Sequence, residues 1–166
     1  MIEIDATYNP KSYENKWYQE WQKKELFSAD SSSSKKPFTI LMPPPNVTSQ
    51  LHMGHGLGYT IQDLLVRWNR MKGLNACWLP GTDHAGIATQ MMVEKDLEKD
   101  GLSKQDLGRE KCVGKLHDWK DKYGGMILDQ FKSMGFSCDW NRLSYTMDPK
   151  LSEAVRHVFV KLYEEG

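Results

Sequence analysis

Residues 38–90 read FTILMPPPNVTSQLHMGHGLGYTIQDLLVRWNRMKGLNACWLPGTDHAGIATQ, and the order of apolar, proline and glycine positions within them decides the fold. Phe38 to Met42 is a short apolar run of the kind a buried parallel strand shows. Pro43, Pro44 and Pro45 end it, because proline cannot donate to a sheet ladder. From about His52 to Lys72 the apolar residues Leu57, Ile61, Leu64, Trp68 and Met71 recur at steps of three and four, which predicts an amphipathic helix closed by Gly73. Ala76 to Leu79 predicts a second strand. Strand, helix and strand within roughly 40 residues form a βαβ unit whose strands run parallel, with their carboxyl ends on one edge. Ligands bind outside those ends in open α/β sheets, so residues 43–55 and 80–86 are expected to line one crevice. The fold class is α/β: half of a Rossmann-type parallel sheet, with an N-terminal helix and additional helices.

Upstream, residues 9–27 predict a helix capped by Asn9, with Pro10 in its first turn and Tyr13, Trp17 and Trp21 as an aromatic packing stripe. Ser28 to Lys36, SADSSSSKK, is polar and reads as a flexible surface connector. Two units follow from this: a helical appendage with its linker over 1–36, and the sheet-bearing domain over 37–166. Downstream, Ala85 to Lys99 and Gln105 to Met134 read as helices, the latter broken near Gly124 and Gly125. A last helix has Asp148 as its cap, Pro149 in its first turn, and Leu151, Val155, Val158 and Leu162 as its apolar face.

Composition narrows the function classes. Lys plus Arg and Asp plus Glu number 22 each, so no whole-chain basic field announces a nucleic-acid partner, and any RNA contact must be local or lie elsewhere. The opening MIEIDATYNPKSYENKW lacks the apolar centre of a signal peptide and no later segment is a bilayer span, so no membrane partner and a cytoplasmic location are expected. Cys77, Cys112 and Cys138 are widely spaced, which fits core thiols better than a disulfide or zinc framework.

The residues that carry chemistry sit where the crevice is expected. HMGH, His52 to His55, opens the helix after the first strand. A helix N-terminus offers unpaired N–H groups and a positive dipole end, and two histidines three apart project to one side, so both imidazoles could donate to a single triphosphate. Gly54, with Gly56 and Gly58, would let a base or ribose lie against the helix. An isolated HxxH is as readily a satisfied helix end or a metal site. Here the βαβ context favours a nucleotide, and no carboxylate or cysteine stands at ligand spacing for a metal. Asp83, in PGTDHAGIATQ, could hold an ammonium or a ribose hydroxyl, or could simply cap the helix that follows. Spacing alone leaves these readings even.

The stretches PPPNVTSQLHMGH, IQDLLVRWNRMKG, WLPGTDHAGIATQ, GREK and DWNRLSYTMD, with YNPKSYENKWYQEW upstream, resemble the valyl branch of the class I aminoacyl-tRNA synthetases in order and spacing. HxGH alone marks only the superfamily. The flanks point to the amino acid, since leucine and isoleucine enzymes carry tryptophan where this chain has Thr82 and lack the PPPNVT run. One position departs from the pattern: Ser49 stands where the family usually has glycine.

The resemblance implies a valine-tRNA ligase that joins valine to ATP, with Mg²⁺ assisting, and passes the valyl group to its tRNA. It implies His52 and His55 as catalytic groups, His52, Gly54 and His55 as the ATP contacts, and Pro44, Asn46, Val47 and Asp83 as the valine contacts, with Asp83 on the ammonium. Steric rejection of threonine is weak in a valine pocket, a limit for which valyl enzymes are themselves the usual illustration, so such enzymes edit in a separate inserted domain. That domain, a KMSKS-type loop and the tRNA-binding regions are expected beyond Gly166, in an enzyme that is monomeric when complete. The competing expectations are an inactive ATP- or partner-binding module, an isoleucyl- or leucyl-type enzyme, and a small-molecule adenylyltransferase.

Overall fold

A computed structural model describes residues 7–166; residues 1–6 of the expected 1–36 appendage lie outside them. The described chain runs α1 (Pro10–Lys23), β1 (Pro37–Leu41), α2 (Met53–Met71), β2 (Asn75–Leu79), β3 (Gly81–Thr82), α3 (Ile87–Lys99), α4 (Lys104–Ser133), a 3-10 turn (Trp140–Arg142), β4 (Ser144–Tyr145) and α5 (Pro149–Glu165).

β1 and β2 pair in parallel from Pro37 opposite Asn75 to Leu41 opposite Leu79, with α2 as the crossover, as the βαβ reading requires. The run in β2 is continuously apolar because both its faces are covered: Ala76, Cys77 and Trp78 are all buried. β1 is covered on one face only, so Phe38 and Ile40 are half-buried while Thr39 and Leu41 are exposed. Beyond Pro80 the second strand resumes as β3, which pairs in parallel with β4, and Asn46 forms a bridge to Asp83. The short β3, the 3-10 turn and β4 fall outside the helices that the sequence predicts, in stretches for which it assigns no element. The core holds Met42, Val47, Tyr59, Val66, Ala76, Trp78, Ile127, Phe131, Phe136 and Cys138.

Four expectations about faces and breaks need correction. In α2 the predicted apolar stripe is exposed, from Ile61 at 52% to Met71 at 87%, and Tyr59, Asp63 and Val66 face the sheet instead. That face begins two residues on from Leu57, roughly 200° around the helix. It tolerates a carboxylate because Asp63 accepts the Ser137 N–H at 2.9 Å and Arg67 Nε at 2.7 Å, partners far off in sequence or on the helix itself. In α1 the buried residue is Tyr18, whereas Tyr13 and Trp17 are exposed. The Tyr18 hydroxyl donates to the Phe136 carbonyl at 2.7 Å and accepts from Trp140 Nε1 at 3.0 Å.

α4 passes through Gly124 and Gly125 unbroken and departs from helical geometry at Gly108 instead, where φ is 72°. In α5 no residue is buried, so Leu151, Val155, Val158 and Leu162 face outward. The 28–36 connector is tied down rather than loose: Ala29 N–H donates to Asp139 Oδ2 at 3.0 Å, and Asp30 and Asn75 exchange hydrogen bonds. Cys77 and Cys138 are buried and Cys112 is half-buried, all as free thiols. No helix among the described residues is long and apolar enough to cross a membrane.

Candidate functional site

α2 starts with its own histidines as caps. His52 is the N-cap residue, and its Nδ1 accepts the Gly54 N–H at 3.1 Å, while His55 Nδ1 accepts the His52 N–H at 3.3 Å. The first-turn amide at Gly54 is therefore not open to a ligand, as the bare helix-end picture would have it. Something else is. An imidazole whose Nδ1 accepts carries its proton on Nε2, so each ring presents one Nε2–H away from the backbone. The rings lie against each other with centroids 3.9 Å apart. Desolvation first, and then the neighbouring His52, hold the His55 imidazole below its ordinary value, which favours this neutral form.

Gly54 leaves the His52 ring uncrowded, since a Cβ there would lie 3.0 Å from His52 Cε1. Around Gly58 a Cβ would meet nothing within 4 Å, and at Gly56 only Met134 Sδ at 4.0 Å, leaving space over that turn. Ser49 is not among the residues with positive φ, so the backbone there makes no demand for glycine.

The proline loop is fixed from three directions. Tyr59 donates to the Pro43 carbonyl at 2.9 Å, Trp119 Nε1 to the Val47 carbonyl at 3.0 Å, and Gln130 Oε1 accepts the Leu51 N–H at 2.9 Å. Burial pushes the Tyr59 phenol up to about 12, so it remains a donor. The cleft that results, about 370 Å³, is lined by Pro43 to Asn46, Thr48 to His52, His55 and Tyr59. Sequence reasoning missed Tyr59, Trp119 and Gln130 as supports, because each reads as an ordinary helix residue and acts on a loop distant in sequence.

Pro44, Asn46, His52 and His55 come together on this cleft; Gly54 and Val47 do not line it. The Val47 side chain is fully buried beside Gly124, so Val47 shapes the loop from behind and has no surface for a ligand. Asp83 lies beside the cleft. Its N–H donates to the Pro45 carbonyl at 2.8 Å, and its carbonyl accepts from Val47 at 2.9 Å. α3 begins at Gly86 with no side-chain cap, and the Asp83 carboxylate instead accepts from Thr146 Oγ1 at 2.8 Å. Capping of α3 is thus not what Asp83 does. Among the described residues no group of three His, Cys, Asp or Glu is placed to hold a metal ion.

Comparison with known proteins bears on this arrangement. Residues 16–166 match the model of the family described as tRNA synthetases class I (I, L, M and V). The chain is 53% identical over 164 residues to the valine-tRNA ligase of Bdellovibrio bacteriovorus, covering 99% of this chain and 18% of that protein. It is 56% identical over 159 residues to that of Syntrophotalea carbinolica, covering 96% and 18%. With the enzyme of Thermus thermophilus it shares 52% over 165 residues, 99% of this chain and 19% of the relative. A LeuRS from Agrobacterium radiobacter K84, solved in a ternary complex with tRNA and LeuAMS, superposes with a TM-score of 0.80 at 24% identity, over 96% of this chain and 19% of that one, a likeness of fold. The chain thus spans about a fifth of the length of the relatives it matches.

Proposed function

The chain belongs to the class I tRNA synthetases of the I, L, M and V group, and on that premise we propose that it carries the HMGH and GTDHAG portions of a valine-activating site. The observation that carries the reading is the pair of Nε2–H donors set side by side on a cleft behind the proline loop. Activation joins the valine carboxylate to the α-phosphorus of ATP and releases pyrophosphate. No side chain need become covalently bound, so the protein's task is to orient the reactants and to stabilise charge on phosphate oxygens.

His52 and His55 supply two preorganised donors for those oxygens, and Gly56 and Gly58 leave room for the nucleoside. Pro44 and Asn46 bound the valine side, and Asp83 holds its ammonium. Mg²⁺ would accompany the phosphates of ATP; the chain has no carboxylate cluster of its own for it among the described residues. In the complete protein the activated valine passes to tRNA, and the same reading places that protein in the cytoplasm as a monomer. Residues 1–36 would serve it as an appendage to the 37–166 domain.

The test is valine-dependent exchange of pyrophosphate into ATP by the full-length protein. Exchange with valine should exceed that with isoleucine, leucine or threonine. Equal or faster exchange with isoleucine or leucine would reassign the amino acid, and no exchange with any of them would favour a non-catalytic module.

A further inference from the structure

Asp83 is useful to an ammonium only if its carboxylate is held in one orientation with an oxygen to spare. The group that does this comes from 63 residues away. β4 pairs in parallel with β3, Gly81 opposite Ser144 and Thr82 opposite Tyr145, and this register carries Thr146 alongside Asp83 at the carboxyl ends of both strands. The alignment is continued by the Thr146 N–H, which donates to the Thr82 carbonyl at 3.1 Å.

The Thr146 hydroxyl then has three neighbours. It lies 2.8 Å from Asp83 Oδ1, 2.9 Å from the His84 amide nitrogen and 2.6 Å from His84 Nδ1. A hydroxyl has one proton and two lone pairs. The carboxylate can only accept, so the proton goes to Asp83 Oδ1, and both lone pairs are left for donors. The His84 N–H is one. His84 Nδ1–H is therefore the other, and its proton also faces Asp83 Oδ1 at 3.3 Å. His84 thus carries a proton on Nδ1, the reverse of His52 and His55, and in the neutral ring its Nε2 is left as an acceptor. No hydrogen bond reaches Asp83 Oδ2 among the described residues, and the Asp83 side chain is 31% exposed.

We propose that Thr146 is a positioning residue for amino-acid binding: its hydroxyl locks Asp83 and His84 together so that Asp83 Oδ2 and His84 Nε2 are both left as acceptors for the substrate ammonium. This rests on the assignment of Asp83 to the ammonium made above. Thr146 touches no reacting atom. It acts through its two partners, so its loss weakens capture of the amino acid and spares ATP.

The full-length protein carrying Thr146→Val, Thr146→Ser or Asp83→Asn is compared with the parent by pyrophosphate exchange, with KM measured separately for valine and ATP. The His84 tautomer is read from ¹⁵N-histidine NMR. Thr146→Val, which keeps the shape and removes the hydroxyl, should raise the valine KM about three- to tenfold, the loss of one hydrogen bond. ATP KM should stay unchanged, and His84 should lose its Nδ1–H signature. Thr146→Ser should restore both. An unchanged valine KM in Thr146→Val, where Asp83→Asn raises it, overturns the role of Thr146 and leaves Asp83 standing. An unchanged valine KM in Asp83→Asn removes the ammonium assignment, and the role of Thr146 falls with it. Nε2–H without Nδ1–H on His84 in the parent protein overturns the hydrogen-bond assignment, and both protons together overturn the acceptor role of Nε2, without recourse to any variant.

Discussion

His52 and His55 show how a single residue can serve the backbone and a ligand at once. Each spends Nδ1 on an amide of its own helix and keeps Nε2–H free, so helix capping is what orients the donors. Removing a preorganised donor of this kind costs about 2.7 to 4 kcal/mol, or a hundredfold to a thousandfold in rate. We expect His52→Ala to lower the rate of adenylate formation by that order while changing ATP affinity far less; a change confined to affinity would make the histidines ground-state anchors. The same variant has a titration signature. Burial and then His52 depress the His55 value below the usual 6.5. A base with a depressed folded value binds fewer protons folded than unfolded. Its stabilising contribution is therefore complete above the unfolded value and is lost as pH falls through the folded one. Without His52 the depression should shrink, and NMR titration should find His55 moved to higher pH, toward but not reaching its ordinary value, because the burial remains.

At the scale of elements, α4 organises the cleft without lining it. Trp119 and Gln130, on one continuous helix, hold the Val47 carbonyl and the Leu51 N–H, so one rigid rod sets both ends of the segment that delivers His52. Gly124 and Gly125 predict a break because glycine disfavours helix interiors. The helix survives because packing against Val47 and the core supplies what propensity lacks. A Cβ at Gly125 would meet nothing within 4 Å. Gly125→Ala should therefore stabilise α4 by about 0.5 to 1 kcal/mol, slowing local amide exchange roughly two- to fivefold in the full-length protein. Unchanged or faster exchange along α4 would show that this turn is strained, or covered by other parts of the protein.

At the scale of the whole molecule, the described residues leave large apolar surfaces uncovered. Leu57, Leu64 and Met71 on α2, Leu41 on the edge strand β1, and Val155, Phe159 and Leu162 on α5 are each at least 64% exposed. Patches of this kind drive association when nothing covers them, and an open strand edge adds to the tendency. Residues 1–166 produced alone should therefore self-associate, seen as concentration-dependent growth in light scattering, and should show little pyrophosphate exchange. A monodisperse, active product would mean that these faces are tolerated in water and that this stretch suffices for catalysis.

The βαβ unit, its parallel pairing and the family are legible in the sequence alone, because proline stops, helix periodicity and the HMGH and GTDHAG strings are local signals. Of the two loops expected to line one crevice, only the proline loop lines the cleft, and none of residues 80–86 does. The sequence could not decide which face of α2 is buried. Leu57, Ile61 and Leu64 are the more apolar side, yet burial went to Tyr59, Asp63 and Val66, where Tyr59 donates to Pro43 and Asp63 accepts from Ser137 and Arg67. Nor could spacing choose between a cap and a ligand role for Asp83. The parallel register of β3 with β4, which seats the Thr146 hydroxyl on Asp83 and His84, removed the cap. The deciding partners, Ser137 for Asp63 and Thr146 for Asp83, lie 74 and 63 residues away. Periodicity and propensity carry no information about such pairings, and only the folded chain brings them within 3 Å.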